Sequence, residues 1–348
     1  MGNLSTKYRP KEFIDMIGQD VTVKILQRQL NTKTTVGSYL FCGPSGCGKT
    51  TAARIFANEL NNHKGHPIEI DAASNNGIDN VRNIISNANQ RSLDSDYKVF
   101  IIDEAHALSS DAFEAFLKLI EEPNPYTKFI FCTTNPEKMP QTIITRVQQF
   151  NFLKVPNNLI KERLIHIINS ERDELFGGSD PAEFGDPPDY TYSDDALDYI
   201  VSLSGGGVRQ AIANLDKCLS YSTELTLDSV TAALGTSNYE STVKFINSVE
   251  VNKDAQSSLK LLYDLYNNGI EPKQFIYNCI LFLLDLNKKL IVPEYSHLPD
   301  SDYITTLMTS INCVRTIKKF SDLYDAIRYS NDPLPIIEIN ILCWCNDI

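Results

Sequence analysis

The sequence predicts an α/β domain built on a parallel sheet, then a small helical domain, then a larger all-α one. Three observations predict this. Short apolar runs alternate with helical patterns over residues 1–154. A glycine-rich loop closes the first of those runs and opens a helix. Past residue 155 the strand pattern gives way to helical periodicity to the end of the 348-residue chain. Strands that alternate with helices need crossover connections, so the sheet is parallel and covered on both faces.

Each element follows from its residues. Val36 to Cys42 reads as a short buried strand that stops at Gly43, and Thr51 to Leu60 reads as a helix. Ile68 to Asp71 is a second strand, Lys98 to Ile102 a third followed at once by two acids, and Lys128 to Thr133 a fourth. Between the last two, Phe113, Phe116, Leu117 and Ile120 recur at i, i+3, i+4 and i+7, which marks one apolar helix face. Ser110 or Asp111 can cap that helix and Pro123 stops it. Residues 155–238 form the small helical domain: Leu159–Glu171, Asp194–Leu203, Val208–Leu219 and Leu227–Leu234. Phe176 to Tyr192, rich in Gly, Pro and Asp, reads as a surface loop. Residues 239–348 form the third domain, where runs such as Leu259–Leu265 and Phe275–Leu286 suit a helical bundle that also packs on a partner. No internal repeat is found.

Composition narrows the class. Apolar residues make up 42% and charged residues 22%, which excludes a mostly disordered or collagen-like chain. No stretch has the ~18 apolar residues of a membrane span. The net charge of −12 is uneven: residues 1–154 carry 17 Lys and Arg against 16 Asp and Glu, residues 155–348 carry 15 against 28. The acidic half repels nucleic acid, whereas the near-neutral half leaves backbone contacts open. The eight cysteines include no C-x-x-C pair, and several sit in apolar runs. They read as reduced, buried small hydrophobes of a cytoplasmic protein, and Cys343-Trp344-Cys345 reads as packing. No apolar stretch of the signal-peptide kind follows the start. Met1-Gly2-Asn3-Leu4-Ser5-Thr6 fits the short myristoylation template, but no polybasic patch or amphipathic anchor supports it.

The chemistry centres on Gly43-Pro44-Ser45-Gly46-Cys47-Gly48-Lys49-Thr50, which satisfies G-x-x-x-x-G-K-[ST] between a strand and a helix opening at Thr51. Glycines let backbone N–H groups wrap phosphates, and the helix N-terminus favours negative charge. Lys49 is expected to reach the β- and γ-phosphates, the Thr50 hydroxyl to ligate Mg²⁺, and Thr51 to belong to the same nucleotide-binding set. Asp103-Glu104 ends a strand where ligands of parallel sheets collect. Asp103 is expected to hold Mg²⁺ through water, and Glu104 to polarise the attacking water. Alone, Asp-Glu after an apolar run is a common solvated strand end; the loop upstream gives it a ligand.

Further segments carry a resemblance. Lys7-Tyr8-Arg9-Pro10, Phe13 and Ile17-Gly18-Gln19 come first. Glu69-Ile70-Asp71-Ala72-Ala73-Ser74-Asn75-Asn76-Gly77, Ile101 to Ser109, Leu117 to Pro123, and Thr133-Thr134-Asn135-Pro136 through Arg146 follow in order. Together they resemble the AAA+ sliding-clamp loader subunits of the bacterial DNA polymerase III gamma/tau family, with wording most like that of low-GC Gram-positive versions. The strong match covers residues 5–155, and a weaker one runs through Gly205-Gly206-Gly207-Val208-Arg209 and Gly269 to Phe275.

The resemblance implies an α/β AAA+ domain, a helical lid and a helical collar. It implies ATP hydrolysis that loads a sliding clamp onto primer–template DNA, with other loader subunits in a pentameric ring and no membrane. Arg146 then corresponds to an arginine finger acting on a neighbouring subunit, Arg209 to the second sensor, and Thr134 (or less closely Asn135) to the first. Arg9, Ile17 and Gly18 would border the adenine, and Ser74, Asn75 and Arg82 would approach DNA phosphates. Three departures stand out. Asn61 to Pro67 replaces the family's four-cysteine zinc module, so no zinc is expected despite His63 and His66. Thr145-Arg146-Val147 replaces Ser-Arg-Cys. The chain stops after the third domain, as a trimmed, phage-encoded or otherwise divergent version would. A nucleotide-dead scaffold subunit and a hexameric branch-migration translocase are the competing readings; the acidic C-terminal half opposes the second.

Overall fold

A computed structural model describes residues 3–75, 77–177, 190–235, 239–267, 269–292, 298 and 302–346. The chain divides into two compact units, Met1–Pro188 with Tyr199–Asp216, and Asp189–Asp198 with Lys217–Ile348.

The first unit is built on five parallel strands: β1 (Ser38–Cys42), β2 (Ile68–Asp71), β3 (Lys98–Asp103), β4 (Thr127–Thr133) and β5 (Gln148–Asn151). Their order is β2-β3-β4-β1-β5. Register sets Cys42 beside Thr133 and Asp71 beside Asp103, so the C-terminal ends of four strands reach one edge. Alternation along the strands divides the core in two. Leu40, Phe100, Ile102, Phe129 and Phe131 face Phe113, Phe116 and Ile120 of helix Ser110–Glu121. Phe116 meets Phe129 and Phe131 edge-on at 5.7 and 5.6 Å. On the other face Tyr39, Phe41, Ile101, Ile130 and Phe150 pack on Ala52, Ala53 and Phe56 of helix Lys49–Leu60.

The four expected strands are present: Ile68–Asp71 keeps its expected ends, and the other three shift by one or two residues at one end. The fifth was not foreseen, because Gln148-Gln149-Phe150-Asn151 buries only Phe150 and lacks an apolar run. Helix Asp20–Thr32 was also missed, since it buries only Thr22 and Leu26. Ser109, rather than Ser110 or Asp111, caps helix Ser110–Glu121, its side chain accepting from the Ala112 N–H at 3.2 Å. Helix Asn157–Gly177 outruns its expected Leu159–Glu171 span at both ends. Most of the expected Phe176–Tyr192 loop, residues 178–189, lies outside the described residues. Thr191–Tyr192, expected in that loop, instead pairs in parallel with Glu224–Leu225. In the segment Asn61–Pro67, Asn61 ties the end of helix Lys49–Leu60 to the start of β3: its amide donates to the Tyr97 carbonyl and its carbonyl oxygen accepts from the Tyr97 N–H, both at 2.9 Å.

Among its described residues the second unit has no other strand than that short pair and is mainly helical. Helix Tyr239–Ile246 runs into a π-turn at Asn247–Val251, and helices Ala255–Asn267, Pro272–Ile291, Asp302–Ser310, Cys313–Ile327 and Leu334–Cys345 follow. Phe245 is central, with the Phe275 and Phe320 ring centroids 5.0 and 6.2 Å away. Trp344 packs on Phe320 at 5.1 Å, so Cys343-Trp344-Cys345 anchors the last helix by packing.

Candidate nucleotide site

The glycine-rich loop leaves β1 at Gly43 and enters helix Lys49–Leu60. Gly43, Gly46 and Gly48 have φ of 147°, 76° and 98°, where side chains are strained. Their needs differ. A Cβ on Gly43 would lie 2.2 Å from the Phe152 carbonyl oxygen, whereas one on Gly46 would press on Gly207 at 3.3 Å. The loop therefore fits tightly between the segment after β5 and the Gly205–Gly207 turn.

Lys49 is buried, and its Nζ donates to the Gly43 and Pro44 carbonyls, each at 2.8 Å. These bonds fold the ammonium over the loop and hold it at the place where phosphate oxygens would compete for it. Thr50 Oγ1 donates to Asp103 Oδ2 at 2.8 Å, joining the helix start to the end of β3. The first N–H groups of that helix have no partners within it, which is the usual basis for anion binding.

Glu104 follows in the left-handed region, φ 46° and ψ 44°, a costly conformation for a carboxylate residue. Its N–H donates to Asp103 Oδ1 at 3.1 Å, and its Oε2 accepts from Thr134 Oγ1 at 3.0 Å. β4 lies between β1 and β3, so Thr134 emerges between the loop and the acidic pair.

A cavity of about 920 Å³, counted to its open mouth, joins these groups. Of the expected residues, Ser45, Gly46, Cys47, Gly48, Lys49, Thr50, Thr51, Asp103, Glu104, Arg9, Ile17 and Arg209 line it. Gly43, Pro44, Gly18, Thr134 and Arg146 are not part of its wall. Gly18 turns the chain at φ 70° against Val155, 3.0 Å from where a Cβ would sit. The Arg146 guanidinium is half-exposed, with Nε 2.8 Å from Glu121 Oε1 and Nη1 donating to the Thr142 carbonyl at 2.8 Å. Ser5, Tyr8, Pro10, Met16, Val208 and Ile212 complete the wall. Tyr8, Pro10 and Val208 sit in quoted motifs and could have been found there; Ser5, Met16 and Ile212 carry no local signal.

Gln19 supports the wall from behind. Its amide donates to the Leu153 carbonyl at 2.7 Å and to the Cys47 carbonyl at 3.4 Å, and its own carbonyl accepts from the Leu153 N–H at 3.1 Å. Cys47 is buried, and burial pushes its thiol up. The same cause takes Cys42 to about 11. Neither is a thiolate at neutral pH. Among the described residues no group of three or more His, Cys, Asp or Glu is arranged to hold a metal ion. Ser74 Oγ donates to Asp71 Oδ2 at 3.1 Å and Asn75 Nδ2 to the Asp71 carbonyl at 3.1 Å, which shapes the exposed turn after β2.

The residues fit ATP and Mg²⁺ by their chemistry. The cavity has a cation and helix N–H groups at one end, and a hydroxyl–carboxylate pair suited to a hard ion.

Comparison with known proteins agrees. The family model described as DNA polymerase III, delta subunit, matches residues 66–156. Over 301 residues the chain is 35% identical to DNA polymerase III subunit tau of Bacillus subtilis (strain 168), covering 80% of this chain and 50% of that one. It is 32% identical over 304 residues to DNA polymerase III subunit gamma/tau of Mycoplasma genitalium, with 81% and 48% covered. The chain thus spans about half the length of these curated relatives. Among solved structures it shares the fold of the Thermotoga maritima RuvB Holliday junction branch migration motor, with a TM-score of 0.52, 19% identity, and 84% and 99% coverage.

Proposed function

The chain is an AAA+ relative of the bacterial DNA polymerase III gamma/tau subunits, and from that premise we propose that it is an ATPase subunit of a sliding-clamp loader. One observation carries the proposal. Thr50, Asp103 and Glu104 meet beside a buried lysine on one cavity, the set that ATP hydrolysis requires.

In this reading Lys49 exchanges its bonds to the Gly43 and Pro44 carbonyls for phosphate oxygens. Thr50 and Asp103 would hold Mg²⁺, which would neutralise charge on the β- and γ-phosphates. Glu104 polarises the attacking water, and Thr134 and Arg209 sense the γ-phosphate. Arg9 and Ile17 border the base, with Gly18 turning the chain behind them. Arg146 lies outside its own chain's cavity, which suits a cation acting on the neighbouring protomer's nucleotide.

Residues 155–238 act as a lid on the 1–154 domain, and residues 239–348 as a collar joining protomers in a pentamer. ATP favours the assembled spiral that holds an open clamp on primer–template DNA, and hydrolysis releases it; the work comes from ATP binding the two states unequally. DNA is gripped through its phosphates, without base readout. Ser74, Asn75 and Arg82 are candidate contacts. Localisation is cytoplasmic, and no zinc is involved.

The test is ATP turnover by the purified chain with and without primed DNA, clamp and partner subunits, repeated with Arg146→Ala. The variant should bind ATP as tightly as wild type and lose stimulated turnover by at least tenfold. Absence of turnover under every condition would identify a scaffold subunit, and duplex unwinding without a clamp would identify a translocase.

A further inference from the structure

We propose that His106, with its tautomer fixed by Asn135, is a positioning residue for Glu104. The inference rests on the ATPase reading above and deepens it. His106 lies in the short helical turn Ala105–Ala107 directly after Glu104 and is largely buried. Its Nδ1 is 3.3 Å from Glu104 Oε2 and 3.1 Å from Thr133 Oγ1. Its Nε2 is 3.3 Å from Asn135 Nδ2.

An amide nitrogen only donates, so Nε2 is the accepting nitrogen and the ring proton resides on Nδ1. There it bonds the Thr133 hydroxyl, which also accepts from the Asn135 N–H at 3.1 Å, with the Glu104 carboxylate close by. Thr134 Oγ1 donates to that same Glu104 Oε2. The Thr134 hydroxyl therefore holds that oxygen by a hydrogen bond, and the ring nitrogen His106 Nδ1 stands 3.3 Å from it. Oε1 is left to work on water at the cavity, whose wall includes Glu104 but not His106. A base whose unused oxygen is anchored beforehand loses less freedom on the way to the transition state. Residues 133–135 come from the end of β4, between the loop and the acidic pair, so the anchor ties the base to the strand that carries the first sensor.

The experiment compares His106→Phe, His106→Asn and Glu104→Gln in the full chain, assayed with ATP, primed DNA and clamp. In His106→Phe kcat should fall at least tenfold, with KM and the Kd of a fluorescent ATP analogue within twofold. In His106→Asn, whose amide nitrogen takes the Nδ1 place, kcat should return to within threefold of wild type. In a Glu104→Gln background His106→Phe should cost nothing further. A kcat unchanged in His106→Phe, an asparagine variant as impaired as the phenylalanine one, or a matching loss of nucleotide affinity would overturn the inference.

Imidazole ¹⁵N NMR supplies a readout that needs no turnover. The His106 signals, identified by their loss in His106→Asn, should report the Nδ1–H tautomer, and Asn135→Ala should mix the tautomers. A wild-type protein that hydrolyses no ATP defeats the ATPase reading alone; an Nε2–H tautomer defeats the placement of His106 alone.

Discussion

Gly43→Ala is the substitution whose effect the structure fixes best. The added Cβ would stand 2.2 Å from the Phe152 carbonyl oxygen and 3.0 Å from its carbon, at a φ of 147°. Phe152 cannot withdraw freely, because its N–H donates to the Cys42 carbonyl at 2.7 Å and so continues the β1–β5 pairing. Relief needs a backbone shift of about 1 Å, since unstrained contacts begin near 3.4 Å. Strained backbone costs about 1–3 kcal/mol and overpacking a further 1–3. A total of about 2–6 kcal/mol lowers the Tm of a unit of this size by roughly 10 °C. Two controls calibrate the result. Gly77 has φ −78° and no atom within 4 Å of its would-be Cβ, so Gly77→Ala should stay within about 0.5 kcal/mol of wild type. Gly235 has the same open space but φ 66°, so Gly235→Ala should cost about 1 kcal/mol from backbone strain alone. The assay is calorimetric melting without nucleotide. A Gly43→Ala protein melting within 2 °C of wild type would refute the claim that this glycine is required by the neighbouring carbonyl as well as by phosphate.

Other outcomes follow from the same geometry. Lys49→Met should weaken ATP affinity at least tenfold in titration calorimetry while leaving Tm nearly unchanged, because the bonds it loses are to carbonyls of its own loop. Gln19→Leu leaves the Leu153 N–H and carbonyl without their side-chain partner and should cost about 1–3 kcal/mol by urea unfolding. Burial lowers the Lys128 ammonium below its ordinary 10.5, so the folded state releases that proton at lower pH than the unfolded chain. Below that window burial of the charge opposes folding, and stability rises as pH climbs through it; Lys128→Met should remove this rise and be neutral or stabilising at pH 7. Cys42, Cys47, Cys132, Cys218, Cys279 and Cys313 are buried, so native alkylation should be confined to Cys343 and Cys345.

Strands that bury both faces announced themselves in the sequence, because every position along Ser38–Cys42 and Thr127–Thr133 is enclosed and, Lys128 apart, mostly apolar or small. The edge strand Gln148–Asn151 was silent for the opposite reason: one face meets solvent and its pairing rests on backbone bonds that leave no trace in side-chain type. The phosphate loop and the acidic pair were legible since their chemistry tolerates few residue types. The role of Gly43 was legible only in part, as its demand comes from Phe152, more than a hundred residues away. His106 was quoted within a motif without a role, because its partners Thr133 and Asn135 belong to another strand end and only the fold brings them together.

The bonds from Gln19 have a mechanical corollary. One buried amide fastens the segment that follows Gly18 to the backbone at Leu153, where the sheet gives way to the helical region, and it also touches the carbonyl of Cys47 in the glycine-rich loop. Three stretches of chain that would otherwise have independent slack share a single fastening. Any displacement of the loop at Cys47 is therefore shared with the chain at Leu153 through one side chain, with no long relay between them.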